Sequence, residues 1–203
     1  MIGELLVKEL IKDPAISQIN FVSRSLVSLS HEKIAVFKLD FLNTQEIENC
    51  IRNSSTVFSA IGTTKAKVGG DKVAYREIDY NINLLIAKSC LKLKINQFQL
   101  VSSGGADALS NNFYLKLKGE IERDIFDLNL PAALIFRPSL LLGKRNEFRF
   151  GERIAQVLMP LFLFSKNYKP IEAKRVAQEM NAYSKLSITG NHIIPNKELL
   201  KGV

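Results

Sequence analysis

No stretch of this sequence is long and apolar enough to cross a membrane: the most apolar run, 157–164, contains Pro160 and falls far short of the roughly 20 residues a span needs. The start at Met1 shows no basic segment ahead of an apolar core, so no secretory leader is expected. Cysteine is scarce, with Cys50 and Cys90 standing apart in helical patterns; this excludes a disulfide framework and fits reduced, buried thiols. Together these absences give the expectation of a cytoplasmic protein. No internal repeat, low-complexity tract or linker divides the 203 residues, and 46% hydrophobic with 24% charged residues suits one domain with a real core. Also absent is any strand or glycine-rich turn before the first helix, since Met1-Ile2-Gly3-Glu4 opens directly into an apolar stripe.

What is present in excess is positive charge. A net charge of +8 admits an anionic partner, either nucleic acid or a phosphorylated small molecule. The lysines and arginines are scattered, and the densest group, Lys88, Lys92 and Lys94, falls on and just after a helix without interleaved aromatics. That pattern argues against a nucleic-acid face and for a small-molecule substrate. A protein partner and the oligomeric state stay open.

Five β-rich runs, 19–22, 34–39, 56–60, 97–101 and 133–136, alternate with helical patterns, the sign of βαβ units and a parallel sheet. A helix at 3–12 precedes the first run and stops at Asp13-Pro14. Further helices are expected at 44–52, 71–93 and 112–128, the last capped from Ser110-Asn111-Asn112. After Pro138 the alternation ends, leaving helices near 151–164 and 171–185 and a short extended piece at 192–195. The fold class is therefore α/β, a doubly wound parallel sheet in three layers. In such a sheet ligands bind beyond the carboxyl ends of the strands, so the loops after Ala60, Val101 and Phe136 should line the site.

Those loops carry the chemistry. Tyr114 and Lys118 stand at i and i+4 on one helix face, where an ammonium eases ionisation of a phenol and readies it for proton transfer. Ser102-Ser103 directly follows an apolar strand, where a hydroxyl can bond a carbonyl that Tyr114 protonates. Gly104-Gly105 supports the plainer reading of a turn. No metal site is expected.

Strand-Ser-Ser, Tyr-x-x-x-Lys on the next helix, and a strand ending in Arg137-Pro138-Ser139-Leu140 occur together in order. With segments 57–64, 75–80, 101–107, 112–120, 136–143 and 149–153, the chain resembles the atypical branch of the short-chain dehydrogenase/reductase superfamily. Within that branch it is most similar to the Tat-interacting-protein oxidoreductase-like family, a Rossmann-like NAD(P)-binding group. The resemblance implies that Tyr114 is the general acid/base, that Lys118 holds the nicotinamide ribose, and that Ser102 or Ser103 polarises a carbonyl. It implies further that Arg24 pairs with an adenosine 2′-phosphate, favouring NADP over NAD, and that Asp40 lies by the adenine. Gly62 and Thr63 would pass beside the cofactor, and Pro138, Ser139 and Leu140 would reach its nicotinamide end. Residues 1–138 would then form the cofactor-binding part of one domain spanning 1–203, with 139–203 a small substrate part. Asp79 stands where many relatives have a helix asparagine.

The family begins with a strand and a Gly-x-x-Gly-x-x-Gly turn whose amides hold a pyrophosphate. Here only its last glycine is matched, by Gly3, which keeps the role of close helix–sheet packing. The expectation is thus an N-terminally truncated Rossmann-like fold with an interrupted sheet and weakened cofactor binding. Two functions compete: an NADP-dependent oxidoreductase acting on a carbonyl or alcohol, and a non-catalytic dinucleotide-binding regulatory or partner-binding protein. A nucleotide-sugar epimerase would share the Tyr-Lys chemistry, but the region after Pro138 is short for a sugar-nucleotide pocket.

Overall fold

The structure, a computed structural model, describes residues 1–25, 27–142 and 169–203. The chain starts with helix α1 (Ile2–Lys12), whose Ile2, Leu6, Val7 and Leu10 recur at helical spacing and are buried. Two parallel strands follow, β1 (Ile19–Ser23) and β2 (Ile34–Lys38), in register from Ile19 opposite Ile34 to Ser23 opposite Lys38. Helix α2 (Thr44–Ile51) is capped by Asn43, whose side chain accepts from the amides of Gln45 and Glu46. Strand β3 (Thr56–Ser59) then leads to a long helical segment: α3 (Lys72–Arg76), a π-helical turn (Glu77–Asn81) and α4 (Ile82–Lys92).

Strand β4 (Gln97–Val101), helix α5 (Phe113–Phe126) and strand β5 (Ala132–Arg137) complete the alternation. A two-residue ladder joins β6 (Leu141–Leu142) to β7 (Ile171–Glu172), and α6 (Ala173–Ser184), β8 (Gly190–Pro195) and α7 (Asn196–Lys201) end the chain. The helix expected near 151–164 lies outside the described residues.

The five expected strands all form, and their arrangement is a parallel α/β sheet of the Rossmann kind. The main sheet has the order β3-β4-β5-β8, and β1 and β2 form a separate parallel pair. Among the described residues β1 pairs only with β2, and β3 pairs only with β4 on its ladder. The β1–β2 pair is thus separate from the main sheet that begins at β3, which is the interruption expected between 19–22 and 56–60. Helices cover both faces. One core gathers Ile47, Val57, Ile86, Phe98, Leu100 and Ile121, with Val22 and Phe37 of the β1–β2 pair packed against it. The other joins Leu6 and Leu10 of α1 to Ile19, Leu134, Phe136, Val176 and Met180.

Two elements depart from expectation. The extended piece at 192–195 is the end of a six-residue strand that extends the main sheet beside β5. It is mostly exposed, so it lacks the continuous apolar run of a buried parallel strand. The helix expected at 71–93 is not uniform: its π turn inserts an extra residue per turn, and Asp79, Tyr80, Ile82 and Asn83 all come to face the interior.

Candidate active site

The carboxyl ends of β3, β4 and β5 converge on one face of α5. Asn112 caps this helix by accepting from the amides of Tyr114 and Leu115, which fixes its first turn. Gly119 fixes its distance from the preceding loop: a Cβ there would fall 2.0 Å from the Ala108 nitrogen and 2.2 Å from the Asp107 carbonyl carbon. The backbone of 107–108 therefore lies against the helix where only glycine fits. Tyr114, Lys118 and Glu122, each four residues apart, form the stripe that faces the strand ends.

Lys118 is buried, and its Nζ stands 2.9 Å from Oδ1 of Asp79, itself only 2% exposed, and 6.0 Å from the centre of the Tyr114 ring. Burial disfavours the ammonium, but the negative charge of Asp79, the Tyr114 phenol and Glu122 outweigh it and push the lysine above its ordinary value. Asp79 is held from two sides. Its Oδ2 accepts from the Thr63 amide at 2.6 Å, and Gly62 leaves room for it, since a Cβ there would lie 3.2 Å from Oδ1. Asn83 donates to the Asp79 carbonyl at 3.0 Å, and the Ser59 hydroxyl donates to the Asn83 oxygen.

Tyr75 closes the outer side. Its hydroxyl donates to the Thr63 carbonyl at 3.1 Å, and its ring meets Tyr114 edge-on at 6.4 Å. Burial, then the charge of Asp79 and Tyr114, drives the Tyr75 phenol far above its usual range, so it stays protonated. The two serines differ. Ser102 donates to Oε1 of Glu122, a carboxylate 2% exposed that also takes Arg137 on both oxygens. Ser103 donates only to the neighbouring Gly104 carbonyl, at 3.2 Å, so its hydroxyl is the less committed of the two.

The remaining expected residues occupy two other places. Arg24 and Asp40, with Lys38 and Leu39, line a cavity of about 310 Å³ beyond the ends of β1 and β2. Pro138 and Ser139 are anchored: the Pro138 carbonyl accepts from Gly104 at 2.7 Å, the Ser139 amide donates to Asn196 at 3.0 Å, and its hydroxyl donates to the Lys169 carbonyl. Leu140 follows, its carbonyl accepting from Ile171 at 2.9 Å. Gly3 faces the end of β3, but a Cβ would meet Ala60 at an ordinary 3.7 Å, so its packing does not demand glycine.

Sequence reasoning missed Glu122, Arg137 as its partner, Asn83, Tyr75 and Lys38. Glu122 alone had a signal, one further helical turn along the Tyr114–Lys118 face.

The sequence matches the NAD(P)H-binding family over residues 1–135. It is 38% identical over 151 residues to Protein FMP52, mitochondrial, of Debaryomyces hansenii, and 36% identical over 150 residues to Protein FMP52-1, mitochondrial, of Scheffersomyces stipitis. Each match covers 72% of this chain and 65% of the relative, so the chain spans less than two thirds of these relatives' length. Among solved structures, MoeE5 in complex with UDP-glucuronic acid and NAD superposes with a TM-score of 0.72 over 95% of this chain and 72% of that one, at 16% identity. The UDP-N-acetylglucosamine 4-epimerase from Methanobrevibacter ruminantium gives 0.73 over 96% and 73%, also at 16%. At such identity these likenesses show the fold alone. The fungal relatives are named as mitochondrial, which overturns the cytoplasmic expectation. Scarce cysteine separates reducing from oxidising compartments; it does not separate cytosol from an organelle.

Proposed function

Because this chain belongs to the NAD(P)H-binding family, we propose that it is an oxidoreductase of the short-chain dehydrogenase kind, acting on a carbonyl or alcohol. The observation that carries the reading is Tyr114 beside the buried Lys118–Asp79 pair at the ends of the main-sheet strands. The residues suit a nicotinamide dinucleotide. Arg24 and Lys38 offer two cations to a phosphorylated ribose in the cavity beyond β1 and β2, and Lys118 offers its ammonium to the second ribose. When bound, the dinucleotide would supply hydride to a carbonyl or accept it from an alcohol. Tyr114 gives or takes the proton of the substrate oxygen, and Ser103 steadies that oxygen by a hydrogen bond.

The cation pair at Arg24 and Lys38 supports a preference for NADP over NAD, and the named relatives support a mitochondrial location. Calorimetric titration with NADPH and NADH, followed by assay against a panel of carbonyls and alcohols, tests the reading. NADPH should bind more tightly, Arg24→Ala should narrow that difference, and Tyr114→Phe should cut turnover by about a hundredfold or more while leaving binding in place. Absence of binding to either dinucleotide overturns the proposal. A second reading, a dinucleotide-binding regulatory protein without turnover, is favoured by the Ser102 hydroxyl being committed to Glu122. Binding without turnover across the panel would select it.

A further inference from the structure

We propose that Asp79 is a positioning residue that neutralises Lys118 and thereby keeps the Tyr114 phenol protonated. The usefulness of that proton rests on the oxidoreductase reading; the charge balance itself does not. Lys118 approaches Tyr114 from the next turn of α5 and would, alone, draw the phenol toward phenolate. It is not alone: its Nζ is 2.9 Å from a carboxylate with almost no exposure, on the π turn that packs against α5. At that separation the pair presents the phenol with a dipole and little net charge.

The other charged or titratable groups near the phenol do not replace this effect. On α3, Tyr75 is neutral and edge-on to Tyr114 at 6.4 Å. On α5, Glu122 is paired with Arg137 of β5. Lys72 of α3 lies over the neighbouring Phe113 ring at 5.4 Å, on the outer side. Asp79 is thus the carboxylate directly paired with the lysine. Its placement is built: the Thr63 amide, the Gly62 gap and the π turn all serve to bring it there.

The test is an ultraviolet titration of phenolate absorbance in the full chain, with the signal of Tyr114 isolated by subtracting the Tyr114→Phe form in each background. Asp79→Asn should lower the pH at which that phenolate appears by about one pH unit or more, because the phenolate then takes the place of the carboxylate as the counter-charge of the buried lysine. Lys118→Met should raise it, and Asp79→Asn combined with Lys118→Met should bring it back to within about 0.3 of the starting value. A merely structural role for Asp79 would not produce opposite shifts that cancel. If Asp79→Asn fails to fold, the double variant still decides: a midpoint back at the starting value supports the proposal, and one equal to that of Lys118→Met overturns it. Since the titration uses no dinucleotide or substrate, failure of NAD(P)H binding is a separate result that strikes only at the oxidoreductase reading.

Discussion

Glu122 anchors one buried polar cluster, that of Ser102 and Arg137. It accepts from the Ser102 hydroxyl and holds Arg137 with both oxygens, so it joins the ends of β4 and β5 to α5. A buried carboxylate of this kind is weak evidence of net stabilisation, but removing it strands its partners. Arg137 is 26% exposed and can turn partly to water, which moderates the loss. Glu122→Ala should therefore destabilise the fold by about 2–3 kcal/mol, measured by denaturant unfolding, whereas Ser102→Ala should cost about 1 kcal/mol. Equal stability of Glu122→Ala and the starting protein would show that the network contributes nothing to the fold. Glu122 had a signal in the sequence, one helical turn along the Tyr114–Lys118 face, but its partners, 20 and 15 positions away, had none, and the Asp79–Lys118 pair is joined only by the folded topology.

At the scale of elements, the five leading strands were legible as short β-rich runs that alternate with helical patterns, although β1 and β2 are only partly buried. Strand β8 was only half legible, since its residues are largely exposed, and the π turn left no mark in a periodicity that it locally breaks. The fit of α5 against its preceding loop was likewise hidden: Gly119 looks like an ordinary helix glycine until the backbone of 107–108 is in place. Gly119→Ala should cost about 3 kcal/mol in denaturant unfolding, since a backbone atom at 2.0 Å cannot turn aside as a side chain would. A loss below about 0.5 kcal/mol would mean that the loop moves freely off the helix.

The ends of α1 and α6 are tied by Asp13, which accepts from Lys185 at 2.6 Å and Asn181 at 2.8 Å. The Lys185 hydrogen bond, then that of Asn181, pulls the Asp13 carboxyl down from 3.8 to about 2. A carboxyl lowered in the folded state contributes stability that is fully present above the unfolded value and is lost as pH falls through the folded one. Lys185 is 45% exposed, so solvent screens the pair and the contribution is about 1 kcal/mol. Unfolding followed from about pH 5 down to about pH 2 should show the advantage of the starting protein over Asp13→Asn shrinking across that window. A constant difference would place the effect in shape and hydrogen bonding alone.

As a whole, the molecule is a main sheet with a two-stranded companion joined to it by side chains and helices. A two-stranded unit is marginal by itself in water. This one is held by Ile19, Val22 and Phe37 in the two cores, by Asn20 donating to the Cys50 carbonyl at 2.7 Å, and by Lys33 donating to the Asp13 carbonyl at 2.9 Å. These contacts are fewer than those around β4 and β5, where Phe98, Leu100 and Leu134 to Phe136 are almost wholly buried between paired strands. Opening of the companion pair should therefore occur without global unfolding. Native-state hydrogen exchange is expected to find the amides of β1 and β2 exchanging about a hundredfold faster than those of β4 and β5. Arg24 and Lys38 border the same pair, so a nicotinamide dinucleotide held there, as proposed, would stabilise the closed form by mass action and should slow exchange in β1 and β2 more than in the main sheet. Equal protection of all these strands without ligand would show that side-chain packing alone makes the interrupted sheet a single cooperative unit.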